Sequence, residues 1–425
     1  MIDGNELESY LSAHGQPERV EVLVADCNAI YRGKWFGGDA LAKLCKAGTN
    51  MPISLLFGDL TCETPSALLQ PPLSGDPDTV YTPVAGSLKP VPWRDKPTAQ
   101  LQLEAGNNAQ LEPRQILTRI ARELNVTVAL EGEFYLTPFK SQMAGEQVYS
   151  HEMLAEQEGF VERIYDYAGR QGVPVTSVLP EYGNGQFEVN LDHSSDPVAA
   201  ADAFMAQKRV VKAAAQAEGK QASFMAQPYA GDAGSGLHIH VSWGAGESAN
   251  AFQDEGVLES AIAGLIEHTP SMVALVAPHA NSYRRIGAVD EFTTANVNWG
   301  ENHRGVMVRI PKSDVKNRRF EFRMPGADAN PYLVTACVLA AAHDGIMRGL
   351  RPNIAGAKEG APQGSGPAIP TRWLSAIDAL DQSAFWRQAL GESFVDLYVR
   401  AKRAEEGKFH SLISNHDLDW GMPSV

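Results

Sequence analysis

Five short stretches, far apart in the chain, place carboxylates, imidazoles and guanidinium groups where they can face one shared pocket. They are Glu131-Gly-Glu133, Glu181 to Glu188, Gly234-Ser-Gly-Leu-His-Ile-His240, Asn281-Ser-Tyr-Arg-Arg285 and Arg319-Phe-Glu-Phe-Arg323. Glu131, Glu133, Glu181, Glu188 and Glu321 supply carboxylates, and His238 an imidazole. An oxygen-dominated donor set suits Mg²⁺ or Mn²⁺, whereas zinc favours more His or Cys. Arg285, Arg304, Arg309, Arg319 and Arg323 add planar forks for phosphate and carboxylate groups. Metal-neutralised phosphates beside arginines are the recurring equipment of phosphoryl transfer.

Three of these stretches read as strands. Val126 to Leu136 is rich in Val, Thr, Phe and Tyr, and alternate residues of a strand share a face. Glu131 and Glu133 then project together, a costly pairing of like charges unless a cation neutralises it. Two solvated carboxylates would satisfy the same pattern. In Leu237 to Ser242 the polar His238, His240 and Ser242 alternate with Leu237, Ile239 and Val241. In Arg319 to Arg323, Glu321 and its flanking arginines alternate with Phe320 and Phe322. Three strands that each separate polar from apolar side chains predict a sheet lining a polar cleft, with helices packed on its back.

Around these motifs, residues 1–105 read as a small β-rich domain and 106–425 as a larger catalytic one. Arg19 to Asp26 and Thr98 to Glu104 alternate as strands, separated by a Pro-rich passage with Pro83, Pro90, Pro92 and Pro97. Helical spacing begins at Arg114, and further helices are expected over 150–171, 197–219, 255–277, 330–350 and 383–404, with a Gly/Pro-rich loop over 356–370. There is no Gly-x-x-x-x-Gly-Lys-Ser/Thr loop and no dinucleotide fingerprint. The formal charge of −15 argues against a nucleic-acid partner. Four scattered cysteines without a Cys-x-x-Cys pair, an acidic N-terminus and no long apolar run fit a cytoplasmic protein with free thiols, away from the membrane.

Taken together, the motifs resemble the glutamine synthetase family over residues 20–420. Gly234 to His240 is similar to its Gly-Ser-Gly-Met-His-x-His signature, Asn281 to Arg285 to its Asn-Ser-Tyr-Lys-Arg, and Arg319 to Tyr332 to its Glu-x-Arg-x-Pro-(x)-Asn-Pro-Tyr block. Asp26-Cys-Asn-Ala-Ile-Tyr-Arg-Gly-Lys34 and Ser223-Phe-Met-Ala-Gln-Pro228 resemble the γ-glutamyl-polyamine and γ-glutamyl-amine synthetase branch. The resemblance implies an α+β fold: a β-grasp-like N-terminal domain and a catalytic domain with a curved, mostly antiparallel sheet backed by helices. It implies two or three Mg²⁺ or Mn²⁺ ions per site, with ATP as co-substrate. One ion would be held by Glu133, Glu181 and Glu188, another by Glu131, His238 and Glu321. Gly234, Arg285, Arg323 and Glu181 would bind substrate, and His240, Ser242, Arg309 and Lys316 would face ATP. Glu291, Arg304 and Asp59 would be catalytic, Asp59 by lending its acid to a neighbouring subunit. The expected assembly is a homo-oligomer, two stacked hexameric rings.

Departures from the family pattern fall around the nitrogen-acceptor pocket. Ala233 stands where glutamine producers carry Asn, and Phe57-Gly-Asp-Leu-Thr-Cys62 replaces Phe-Asp-Gly-Ser-Ser. Small residues there suit an acceptor larger than ammonium, with Tyr149, Tyr182 and Trp299 as aromatic walls. The expected activity is ATP-dependent ligation of glutamate's γ-carboxylate to a polyamine or small monoamine through a γ-glutamyl phosphate. An ammonium-using enzyme, or an inactive family member with a structural or regulatory role, is the alternative.

Overall fold

The computed structural model describes residues 2–139, 147–244, 250–287, 295–360 and 366–422. Its first sheet uses β1 (Arg19–Ala25), β2 (Tyr31–Gly37), β3 (Thr49–Pro52), β4 (Asp78–Pro83), β5 (Lys89–Pro90) and β6 (Thr98–Ala105). The order is β2-β1-β6-β4-β3, with β5 also on β6; β1 and β6 run parallel. Val20, Val22 and Val24 of β1 are buried. Each contributes roughly 1.5–3 kcal/mol by leaving water. Two helices, α1 (Gly4–His14) and α2 (Leu41–Ala47), interrupt what the sequence reads as a β-rich unit.

The second sheet comprises β7 (Val126–Thr137), β8 (Val175–Pro180), β9 (Gln186–Leu191), β10 (Gln221–Ser223), β11 (Leu237–Trp243), β12 (Trp299–Glu301), β13 (Val308–Ile310) and β14 (Phe320–Phe322). Its order is β12-β13-β14-β11-β7-β9-β8, with β10 on β7, and among the described residues its strand pairs are antiparallel except β12–β13. The helices are α3 (Pro113–Ala121), α4 (His151–Glu156), α5 (Glu158–Gln171), α6 (Pro197–Ala217), α7 (Glu255–Val276) and α8 (Ser282–Gly287). They continue with α9 (Pro331–Arg348), α10 (Trp373–Asp381), α11 (Ala384–Leu390), α12 (Glu392–His410) and α13 (Asn415–Gly421). The class is α+β, as expected.

Along β7, Val126, Val128 and Leu130 face the helical layer, while Thr127, Glu131 and Glu133 face the opposite way. Gly132 falls on the packed side because a Cβ there would lie 2.3 Å from the Phe204 ring of α6. The glycine between the two glutamates thus lets α6 press against the back of the site. Polar contacts tie the first sheet to the same helix: Gln102 donates to Asp202 at 3.1 Å, Arg209 pairs with Glu21, and Arg114, just after the sheet, bonds both Glu104 of β6 and Asp202.

Two predicted helices are divided. The 150–171 helix breaks at Gln157 (φ −114°), giving α4 and α5. The 383–404 helix breaks at Gly391, whose φ of 104° an L side chain rarely adopts, so α12 starts afresh and runs to His410. Phe320–Phe322 is shorter than the 319–323 reading. The predicted 356–370 loop lies partly outside the described residues. Among the described residues no helix is long and apolar enough to cross a membrane, and all four cysteines are free.

Candidate active site

Strand register assembles the site. Across β7 and β11, Glu131 sits opposite His238; across β11 and β14, His240 sits opposite Glu321. Across β7 and β9, Glu133 sits opposite Glu188. Residues 55, 81 and 107 positions apart in the chain therefore become neighbours on one sheet face. The turn between β8 and β9 swings Glu181 over that face, and ligand oxygens of Glu133, Glu181 and Glu188 all lie within 4.8 Å of one another.

A cavity of about 290 Å³ opens above this face. Its walls carry all six residues named as metal ligands, together with Arg285, Arg304, Arg309, Arg319 and Arg323. A second cavity, about 470 Å³, carries Ser242, Lys316, Asn250 and Asp192. Glu131, His240 and Arg319 line both, so the two chambers meet across one band of side chains.

The electrostatics divide the site in two. Burial, then the neighbouring Glu133 charge, pushes the Glu181 carboxyl up to about 8. Burial and the charges of Glu131, Glu133, Glu181 and Glu321 push Glu188 well above the usual carboxylate range. Nearer the arginines the sign reverses. Burial would raise Glu321, but Arg323, the two imidazoles and Arg309 outweigh it and hold the carboxyl at about 2. Burial is likewise outweighed at Glu131 by His240 and His238, which keep it well below its ordinary value. Arg309 donates to Glu321 at 2.8 Å and to Asn302 at 2.9 Å, and Arg319 Nε lies 3.2 Å from His240 Nδ1.

This donor set fits divalent cations. Three carboxylates, Glu188 buried and Glu133 and Glu181 half-buried, converge within reach of one another, and a cation between them would relieve the repulsion of like charges at that range. Both imidazoles stand beside the second expected set. His240 groups with Glu131 and Glu321, its Nε2 3.1 Å from a Glu131 oxygen. His238 Nδ1 stands 3.6 Å from Glu321 and 3.9 Å from Glu131, and groups with Glu131 and Glu188.

Other expected residues are scattered more widely. Gly234 lies in the first cavity, where a Cβ would come 2.8 Å from Arg285 Cγ. Asp59 is buried in its own chain, with Lys408 Nζ at 2.6 Å and the amides of Thr61 and Glu63 on its other oxygen. Tyr149 and Tyr182 line the first cavity beside Ala233. Trp299 instead donates its Nε1–H to Ile354 O, away from that cavity. Glu291 lies outside the described residues.

Two polar lining residues escaped the sequence reading. Gln186 donates to Glu133 at 3.2 Å, and Asn190 stands opposite Glu131. Period-two spacing through Gln186, Glu188 and Asn190 places all three on one face of β9, a signal that was available. Tyr149 holds a φ of 58°, uncommon for a bulky residue, and is 62% exposed at the cavity mouth. Its amide donates to Pro180 O at 3.1 Å, pinning it beside Glu181.

Residues 110–421 match the family model described as glutamine synthetase, catalytic domain. The chain is 33% identical to γ-glutamylputrescine synthetase PuuA of Escherichia coli K12, covering 99% of this chain and 95% of that one. It is 28% identical to a glutamine synthetase of Rhizobium leguminosarum bv. phaseoli, over 91% and 92% of the two chains. Among solved structures, ligand-free GmaS superposes with a TM-score of 0.81 at 26% identity, covering 99% of this chain and all of that one.

Proposed function

Because the chain belongs to the glutamine synthetase family, a family of ligases, we propose that it joins the γ-carboxylate of glutamate to an amine at the expense of ATP. One observation carries this reading: converging carboxylates and a row of arginines share a cavity that adjoins a second chamber.

The reaction has two displacements. A γ-carboxylate oxygen of glutamate attacks the γ-phosphorus of ATP and the bond to ADP breaks, giving a γ-glutamyl phosphate. The amine nitrogen then attacks that carbonyl, the C–O bond to phosphate breaks, and the nitrogen loses a proton. Glu133, Glu181 and Glu188 would hold one divalent ion, and Glu131, Glu321 with an imidazole another; bound there, the ions offset phosphate charge. Arg285 and Gly234 orient glutamate. Arg304, Arg309 and Arg323 meet the transferring group, where fixed cations stabilise charge that develops in the transition state. Ser242 and Lys316 serve the nucleotide in the second chamber. A protonated amine is no nucleophile, so a carboxylate must take its proton, the role proposed for Glu291.

The acceptor is proposed to be a polyamine or small alkylamine. Ala233 leaves room, and the Tyr149 and Tyr182 rings offer apolar contact and a π-face to a cation. The similarity to γ-glutamylputrescine synthetase supports the same class. We further propose a cytoplasmic homo-oligomer of two stacked hexameric rings, the Asp59 loop of one subunit serving the site of the next. Exposed Ile413, Trp420 and Met422 near the C-terminus give association an apolar surface to cover.

The test is glutamate-dependent phosphate release with ATP and Mg²⁺, comparing ammonium, putrescine, spermidine, ethanolamine and methylamine at matched concentration. Turnover with one amine at least tenfold above ammonium is expected, with the γ-glutamylamide identified by mass. Ammonium as the best acceptor would make the enzyme a glutamine producer. Silence with every acceptor would favour a non-catalytic member.

A further inference from the structure

Arg285 reaches the cavity from α8, and the base of that short helix is built from buried groups that do not line the cavity. The turn before it closes on itself: Ser282 N donates to His279 O at 3.0 Å, and His279 N donates to Ser282 Oγ at 3.2 Å. Ser282 Oγ in turn donates to Asp328 Oδ2 at 2.7 Å. His279 and Ser282 are 3% and 2% exposed, so water offers neither group an alternative partner. Asp328 belongs to the connector between β14, which carries Glu321, and α9.

That connector also holds the far end of Arg285. The guanidinium donates to Met324 O at 2.7 Å and Arg323 O at 3.3 Å. Ala327 N donates to Ser235 O at 3.0 Å, next to Gly234. Asn281 accepts from Gln227 N at 2.8 Å and donates to Gln227 O at 2.9 Å, closing the third side. Three segments bearing Gly234, Arg285 and Arg323 are thus locked together, and one hydroxyl bridges the turn to the connector.

We propose that Ser282 is a positioning residue for substrate: by bridging His279 and Asp328 it sets the direction in which α8 leaves its turn, and hence where Arg285 meets a carboxylate. The inference rests on the reading of the cavity as a glutamate site. Ser282 uses its donor and its acceptor at once, and no apolar residue of similar size replaces either bond. Arg285 acts over a short range, where a displacement of an ångström or less matters. The ATP chamber, lined by Ser242, Lys316 and Asn250, shares none of these contacts.

The experiment measures KM for glutamate and for ATP in the full chain, for wild type, Ser282→Ala, Asp328→Ala and the double variant. Ser282→Ala is expected to raise the glutamate KM about tenfold while leaving the ATP KM within about twofold. Asp328→Ala should match it, and the double variant should be no worse than either, since both break one bridge. Equal rises in both KM values, additive effects, or an unchanged glutamate KM would overturn the proposal. Should Asp328→Ala fail to fold, the KM split in Ser282→Ala decides alone. Wild-type turnover with an unaltered variant sinks only this inference; a wild type indifferent to glutamate sinks the functional reading as well.

Discussion

The buried acids around the first sheet and α12 differ sharply from the Glu133, Glu181 and Glu188 group on the face of the second sheet. Glu21 is paired with Arg94 at 2.7 Å and with Arg209; Asp26 meets Arg32 at 2.7 Å; Asp59 meets Lys408 at 2.6 Å. Glu405 meets Lys402 at 2.9 Å, and Lys402, after burial raises Glu405, still brings its carboxyl down to about 2. In the cavity, Glu133, Glu181 and Glu188 crowd one another, and two of the three are pushed upward. Acids with a cation in the same chain complete the architecture. Acids whose nearest charged neighbours are other acids suit an incoming cation, in line with the metal-binding role proposed above.

The comparison breaks most visibly at Glu188. Replacing it with Gln is expected to lower turnover by about a thousandfold, the scale of losing a group that organises transition-state charge. Removing one of three crowded carboxyls should leave the Tm in chelator unchanged or raised. The Tm increase on adding Mg²⁺ should shrink relative to wild type, as expected when a ligand binds the folded state less tightly. A variant that keeps both turnover and the Mg²⁺ response would remove the distinction between the two regions.

Glu21→Gln tests the other side. It leaves the half-buried Arg209 without its anion, which costs roughly 3 kcal/mol. Chemical denaturation should show that loss while KM for glutamate stays within about twofold. Stability within about 0.5 kcal/mol of wild type would mean that this pair is not holding the first sheet to α6.

The smallest effect sharpens the contrast through an acid that has no cation partner at close range. Glu112 accepts the Ala105 amide, and burial raises its carboxyl to about 8. In the unfolded chain the same group titrates near 4.3. Its folded value is raised, so its stabilising contribution is full below about pH 4 and fades as pH climbs towards 8. Between pH 5 and 8 the wild type should lose on the order of 1–3 kcal/mol that Glu112→Gln does not lose. Parallel Tm curves for the two proteins across that window would refute the assignment.

Alternation made β7, β11 and β14 legible, and with them the polar face holding Glu131, Glu133, His238, His240 and Glu321. Their pairing was not legible, because register depends on backbone contacts between segments with no local signature. That register sets His238 opposite Glu131 and His240 opposite Glu321, so both imidazoles sit between the two carboxylates. Helix boundaries failed where one residue decided them, as at Gly391, whose positive φ ends a pattern that otherwise continues. The Lys408 partner of Asp59 lies 349 positions away, and spacing carries no information about it. Trp299 looked like a pocket wall by type alone, yet its indole N–H is spent on Ile354 O.

The shared band of Glu131, His240 and Arg319 between the two cavities has a thermodynamic consequence. An anion entering one chamber alters the field felt in the other across a single layer of side chains. Whatever factor the first occupant imposes on the affinity of the second must be returned in full when the order of arrival is reversed. The partition therefore acts as a balance with two pans, and two substrates weighed separately would not give their joint weight.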